Sequence, residues 1–533
     1  MTLSTIDTIV VVVYGIAIFA LAQFVSREKA GHSKNTSDYF LASKNLPWWA
    51  IGASLIAANI SAEQIVGMSG SGYALGLAIA SYEWMAALTL LIVGKYFLPI
   101  FLKNQIYTMP QFLEQRYGRV LPVIMAIFWL ALYVFVNLTS IIWLGSIAVN
   151  KVAGVDQDVA LVGLGAFALV YQLYGGLKAI ALTDIVQVAL LVMGGLVVTY
   201  LALDQLGAGQ GVLAGFSVMT EKVPGHFNMI LEPGHPFFKD LPGIAVLVGG
   251  MWIANLSYWG FNQYIIQRAL AAKDIGEAQK GVVFAAYLKL LMPLIIVVPG
   301  IAAVLLTPNL AKPDEAYPTM MLSLLPQGLL GLVFAALVAA IIASTASKIN
   351  SIATIFTLDL YAKARGIQTR AENETEESIG QEKHLVLIGR IVAAVSVIIA
   401  LVTARPLLGN SDQAFQFIQE FSGFFTPGIT VIFMLGLFWK RANEAGAITA
   451  AVASVVLSYV FKVAMPDFPF MNRMGLVFLI SLALAVLISL VVKARGDANR
   501  VTMEGVSFRT PAVFNIAGLG VILILIALYA TWW

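Results

Sequence analysis

At 533 residues the chain has the length of about three or four soluble domains, yet 59% of it is apolar and only 11% charged. With a mean hydropathy of +0.86 it cannot cover itself with enough charge to stay in water, which excludes a soluble enzyme, a nucleic-acid binder and a secreted scaffold. It has no cysteine, so a disulfide framework, a thiolate metal site and a cysteine nucleophile are excluded as well. The fold class this predicts is an all-α polytopic membrane protein.

The first apolar run, 8–26, has an acidic flank at Asp7, no basic stretch before it and no small-residue cleavage site after it. It reads as an uncleaved helix and not as a signal peptide. Thirteen more runs follow: 47–70, 79–101, 120–148, 158–175, 179–203, 241–266, 282–306, 328–358, 386–404, 413–438, 444–463, 474–492 and 513–531. Each is long enough to cross roughly 30 Å of hydrocarbon, and none alternates as barrel strands do. With the N-terminus outside, 21 basic residues fall in inside loops and 7 in outside loops, which predicts both termini outside. For a bacterial inner membrane, outside is the periplasm. The outside segment 204–240, with His226 and His235, reads as an ordered lid, and the polar inside segment 362–385 as a mobile loop.

An internal repeat stands out. Leu46-Pro47 opens one span that Ala58-Asn59-Ile60-Ser61 interrupts, and Leu241-Pro242 opens another that Ala254-Asn255-Leu256-Ser257 interrupts. The first begins inside and the second outside, the arrangement of inverted repeats whose first helices unwind at a midplane site. Asn and Ser cap helix ends and compete with the ladder, which suits an unwound segment with free carbonyls. They also occur as interhelical glue, the competing reading. The expected organisation is an extra helix and loop (1–46), a first repeat of five helices (47–203), an outside loop (204–240), a second five-helix repeat (241–438) and three further helices (439–533).

Ionisable side chains inside spans default to functional candidates. They are Glu83 in Ser81-Tyr82-Glu83-Trp84, Lys289 in an otherwise apolar helix, and Asp184 at an inner helix start. Gln64, Asn137, Gln416 and Gln419 add amides, and Tyr82, Tyr258, Trp259 and Phe415 add aromatic faces. Carboxylate, ammonium, amides and flat rings together are what a polyhydroxylated ligand needs, since each hydroxyl wants partners and a pyranose stacks on a ring. The alternative is a structural Glu83–Lys289 ion pair with a snorkelling Asp184. Four scattered histidines offer no metal cluster, and the chain has no phosphate-binding loop, so a catalytic reading has no support.

The run from Ser37-Asp38-Tyr39-Phe40 through Leu46-Pro47-Trp48-Trp49 and ASLIAANISAEQIVGMSGSGYALGLAIASYEW (53–84) resembles the sodium/solute symporter family. So do YGGLKAIALTDIVQ (174–187), GFNQYIIQRALAAK (260–273) and GLFWKRANEAGA (436–447), in the wording of its sodium–glucose cotransporter branch. The resemblance runs over essentially the whole chain. It implies a leucine-transporter-type five-plus-five inverted-repeat core, with one helix before and three after, that moves sodium and a monosaccharide, galactose- or glucose-like, by alternating access. It places sugar contacts at Gln64, Glu83, Asn137, Asn255, Lys289 and Gln419, an inner closing ring at Tyr258 beside Trp259, and an outer apolar gate at Met68, Tyr82 and Phe415. It places sodium on the carbonyls of Ala57, Ile60 and Ala340 and on two hydroxyls at positions 343 and 344.

This chain departs at three places. Position 343 is Ala, so only Ser344 keeps its hydroxyl; position 86 is Ala where a serine stands near the sugar. Members with a second sodium pair the aspartate matching Asp184 with two hydroxyls, where this chain has Ala346 and Ser347. One sodium per sugar is the expectation. Lys348 follows Ser344 by one turn; its stem either carries a fixed cation toward the sodium site or snorkels into the inner vestibule. Two rival functions stay open on the same scaffold: a sodium-independent or proton-linked facilitator, and a sugar-responsive sensor or leak pathway.

Overall fold

The computed structural model describes residues 3–26, 46–106, 108–175, 177–367, 376–492 and 501–533. Its helices, in chain order, are α1 (Thr5–Ser26), α2 (Trp48–Asn59), α3 (Ser69–Leu75), α4 (Ser81–Ile92), α5 (Val120–Ala131), α6 (Thr139–Ala153), α7 (Gln157–Gly175) and α8 (Leu177–Leu206). They continue as α9 (Gly250–Phe261), α10 (Gln263–Leu270), α11 (Ile275–Leu306), α12 (Leu329–Thr354), α13 (Glu376–Leu408), α14 (Ala414–Ser422) and α15 (Thr426–Phe438). The last three are α16 (Glu444–Ala464), α17 (Phe470–Val491) and α18 (Ala512–Trp532). Among the described residues there is no strand, as hydrocarbon demands of backbone that must satisfy itself.

Nine helices among the described residues are long and apolar enough to cross a membrane, or ten if α14 and α15, bent by 46°, count as one span. The apolar parts of α1 and α7 are shorter, and other expected spans are broken into pieces. One helical stretch, Glu63–Lys103, is 41 residues long, about twice what the hydrocarbon thickness needs. Gly76, at φ 77°, interrupts its α-helical backbone. A Cβ there would lie 2.2 Å from the His226 carbonyl oxygen, so only glycine fits.

The first expected interruption is where the sequence puts it. α2 ends at Asn59, and Ile60 is extended (φ −70°, ψ 117°) before the chain resumes as the π-helical turn Glu63–Met68. The second is not. Ala254-Asn255-Leu256-Ser257 lies inside the unbroken α9, where the Asn255 side-chain amide donates back to the Met251 carbonyl (3.1 Å) alongside the backbone ladder. The break comes at Asn262 (φ −85°, ψ 117°), whose side chain accepts from the Tyr264 amide and caps α10. Each break thus follows a helix of 12 residues, and the two extended residues share nearly the same backbone angles.

Half of the expected inside loop is helix, since α13 begins at Glu376; residues 368–375 lie outside the described residues. The segment 204–240, expected outside, is ordered. Val212–Lys222 is helical, the His226 ring nitrogen meets the Tyr73 carbonyl at 3.1 Å, and the Met229 amide donates to the Trp532 carbonyl (2.7 Å). α1 docks by its acid: the Asp7 carboxylate accepts from the Gly328 and Gly331 amides (2.7 and 2.8 Å) at the N-terminus of α12.

The long α11 runs through the centre against α2, α3 and α4. Small residues let it close in: a Cβ at Gly300 would stand 2.2 Å from the Ser69 carbonyl oxygen, and one at Gly72 2.9 Å from that of Val297. Gly300→Ala must therefore separate α3 from α11, at a cost of about 1–3 kcal/mol. The thermal midpoint of the detergent-solubilised protein should fall by several degrees for Gly300→Ala. Gly163→Ala, where a Cβ would meet nothing within 4 Å, should leave it unchanged.

Candidate functional site

One cavity lies where the two breaks face each other. Its walls include all six expected sugar contacts (Gln64, Glu83, Asn137, Asn255, Lys289, Gln419) and all five gate residues (Met68, Tyr82, Tyr258, Trp259, Phe415). These side chains come from six stretches of chain: the turn Glu63–Met68, α4, the π-helical segment Leu132–Leu138, α9, α11 and α14. Two of those stretches are π-helical; the wider turn re-aims Gln64 and Asn137, a frequent device at functional sites.

Lys289 is 1% exposed and stands at the centre of the polar wall. Its ammonium donates to Glu83 Oε2 (2.5 Å) and to the side-chain Oδ1 of Asn59, and it lies 5.0 Å from the centre of the Trp259 ring. Asn59 in turn donates to the Tyr258 hydroxyl (3.1 Å). The pair is therefore both things the sequence allowed: a buried ion pair, and part of the cavity wall. An ammonium has three donors, and here two go to Glu83 and Asn59 while Trp259 offers its ring face. A ligand hydroxyl can share the ammonium or take the place of Asn59 without separating Lys289 from Glu83. Gln64 accepts from the Ser61 hydroxyl (3.2 Å) and keeps its amide donors for the cavity.

Tyr82 and Phe415 meet edge to face, with ring centres 5.1 Å apart, and Tyr258 and Trp259 do so at 5.2 Å. Ala86 lines the wall without a hydroxyl. Gln416 is off the cavity, buried with neither end of its amide partnered. The Asp184 side chain lies outside the described residues.

The five expected sodium positions lie off this cavity, Ala57 and Ile60 at the first break and Ala340, Ala343 and Ser344 along α12, all buried. Among the described residues the carbonyls of Ala57 and Ile60 receive no backbone hydrogen bond, and the Ser344 hydroxyl has no partner. Carbonyls freed by an unwound helix, together with one hydroxyl, are hard oxygen donors of the kind a small cation takes. Position 343 offers a methyl in place of the second hydroxyl.

Lys348 does not snorkel into an open vestibule. It is 6% exposed, with its ammonium 4.1 Å from the centre of the Tyr264 ring and 4.8 Å from that of Tyr133. Asn59, read from the sequence only as part of the first break, lines the cavity, and so do Glu63 and Asn262; neither these two nor the tyrosines beside Lys348 have a role assigned from the sequence. For Glu63 the signal was present: a carboxylate inside an apolar span, next to the chosen Gln64.

Outside the spans, Asp314 in the turn Pro313–Glu315 braces the start of α14. Its Oδ2 accepts from the Ala414 amide (3.0 Å), next to Phe415, and its Oδ1 has no partner. Burial pushes this carboxyl from 3.8 up to about 7, against the opposing pull of the Ala414 amide and Lys312. A group raised on folding contributes stability that is present at low pH and lost as pH climbs toward its folded value. The thermal midpoint should therefore fall between pH 4 and about 7 by more in the parent than in Asp314→Asn, which keeps the acceptor and removes the titration.

A helical bundle whose two broken helices face one polar, aromatic-walled cavity is the architecture of a secondary transporter. The description of the sodium:solute symporter family matches residues 39–454, and the chain belongs to that family. It is 48% identical to a sodium/glucose cotransporter of Vibrio parahaemolyticus, over 100% of this chain and 99% of that one. It is 34% identical to the sodium/myo-inositol cotransporter 2 of Bos taurus, over 86% of this chain and 70% of that one. Among solved structures, a Na+-coupled sialic acid symporter shares the fold with a TM-score of 0.75 at 20% identity, covering 93% of this chain and 99% of that one. A nucleobase-cation-symport-1 family transporter shares it with a TM-score of 0.54 at 15% identity, over 87% and 98% of the two chains.

Proposed function

We infer that the protein is a sodium-coupled symporter of a monosaccharide, galactose- or glucose-like, working by alternating access in a bacterial inner membrane with both termini outside. The observation that carries this is the meeting of Glu83, Lys289 and four amides with aromatic rings in one cavity at two helix breaks. That set pairs the hydroxyls of a sugar and stacks on its apolar face. The near-half identity with a sodium/glucose cotransporter over full length supports the same substrate class.

Residues 47–203 and 241–438 form the two inverted repeats in this reading. Their matched 12-residue helices, ended by Ile60 and Asn262, support it. The ion seat is built from the carbonyls of Ala57, Ile60 and Ala340 with the Ser344 hydroxyl, one sodium per sugar. An ion there favours the state in which the cavity opens outward. Sugar then enters past Met68, Tyr82 and Phe415, and leaves past Tyr258. The cycle needs only that ion and sugar bind the two conformations with different affinity. A wall group left without its hydroxyl partner costs about 1–3 kcal/mol, so ranking among sugars rests on single wall groups.

The test is uptake of radiolabelled galactose, glucose and inositol into proteoliposomes, alongside the Lys289→Ala and Gln419→Ala variants. At least one sugar should be taken up by the parent. Lys289→Ala should abolish uptake while the protein still elutes as a folded monodisperse species, because truncation leaves Glu83 buried and unpaired and removes the hydroxyl partner. Gln419→Ala should weaken uptake by roughly tenfold. Parent-like sugar affinity in Lys289→Ala would contradict the site.

A further inference from the structure

The Lys348 ammonium lies between two aromatic faces, those of Tyr264 and Tyr133, and each ring is tied to a different helix break. The Tyr264 hydroxyl donates to the Ala58 carbonyl (2.8 Å), in the last turn of α2 before Ile60. The Tyr133 hydroxyl donates to Asn262 Oδ1 (2.9 Å), the residue at which α9 breaks. Ring faces attract a cation by their quadrupole, more strongly when water is excluded, and this ammonium is buried. The nearby charges that act on it are the Glu63 carboxylate and the Arg268 guanidinium. Glu63 belongs to the turn that follows the first break and accepts from the Ser140 hydroxyl (3.0 Å). Among the described residues no carboxylate pairs directly with the ammonium; the rings lie against it, and Glu63 is the negative charge that acts on it.

A positive charge carried on α12 is thereby fastened, through two tyrosines, to both breaks. In the proposed mechanism a sodium ion fastens α12 to the first break by a shorter route, from Ser344 to the carbonyls of Ala57 and Ile60. That seat has one hydroxyl fewer than the family pattern, and the extra cation stands one turn away on the same helix.

We propose that Lys348 is a tethered cation: clamped by Tyr264 and Tyr133 opposite Glu63, it holds α12 to the two helix breaks and takes over part of the work of a bound sodium ion. The proposal rests on the reading of the protein as a sodium-coupled carrier and sets how strongly its conformation depends on sodium. With the tether in place the equilibrium between states is already biased, so added sodium changes it little; without the tether, sodium must supply the whole bias.

The experiment reads conformation and not transport. The chain has no cysteine, so Ser351→Cys, half-buried on α12 one turn beyond Lys348, gives a single reporter thiol. Its rate of modification by a water-soluble maleimide is compared in sodium chloride and choline chloride, without sugar, in the full-length protein in detergent. In the reporter background sodium should change the rate by less than about twofold. With Lys348→Met added the change should reach roughly tenfold, the scale expected when a desolvated cation–π clamp is removed. Restoring the hydroxyl by Ala343→Ser should enlarge it further. Because Lys348→Met leaves Glu63 without a balancing charge, Glu63→Gln with Lys348→Met is the second variant, and it should respond to sodium as strongly. An equal sodium response with and without Lys348, or none in either variant, overturns the proposal. The underlying carrier reading fails separately, by absence of sugar uptake in any salt.

Discussion

A helix that stops inside hydrocarbon leaves carbonyls and amides with no ladder partner, and no water is there to take them. Everything at the centre of this protein answers that constraint. At the first break the Tyr264 hydroxyl takes the Ala58 carbonyl, and the side chain of Asn59 is shared between Lys289 and Tyr258. At the second, Asn262 caps the helix that follows and accepts from Tyr133. The carbonyls of Ala57 and Ile60 receive no backbone hydrogen bond among the described residues, as the proposed ion seat requires. Side chains from other helices complete the breaks, so a movement of those helices would change the proposed seat and the cavity together.

The charges obey the same rule. Near the two breaks stand two buried ammoniums, Lys289 and Lys348, with the carboxylates Glu83 and Glu63, and a charge taken out of water needs a partner. Lys289 and Glu83 pair directly in the cavity wall, where a ligand with hydroxyls can join them. Lys348 feels the charge of Glu63 without a direct pair, and its ammonium lies against the rings of Tyr264 and Tyr133, which bond to the two breaks. The first arrangement suits recognition, since its donors are open to exchange; the second suits fastening, since the rings enclose the cation.

Much of this was legible in the sequence. Apolar run lengths gave most of the helices, and the polar intrusions at Glu83, Lys289 and Gln419 pointed to the cavity they line. The first break was readable because its Asn and Ser stand at the end of a short apolar helix. The second was misread because the same residue types at 254–257 bond backward into an intact ladder, a choice made by side-chain rotamer and not by composition. Asn262 carried no signal apart from being an asparagine near a helix start. The burial of Lys348 was not readable either. Whether a lysine on an inner turn snorkels or folds back depends on Tyr133 and Tyr264, which lie far from it along the chain. Among the described residues fewer helices than the fourteen expected runs are long and apolar enough to cross a membrane unbroken, because breaks divide some runs and Glu63–Lys103 joins two.

The central claim is that ion and sugar share one conformational cycle. The most direct test is accumulation: proteoliposomes holding the sugar at the outside concentration are given an inward sodium gradient at fixed pH, with and without a sodium ionophore. The account predicts that internal sugar rises above the external level, and that the ionophore abolishes the rise while leaving equilibration intact. Equilibration to the same level with and without the gradient would contradict it.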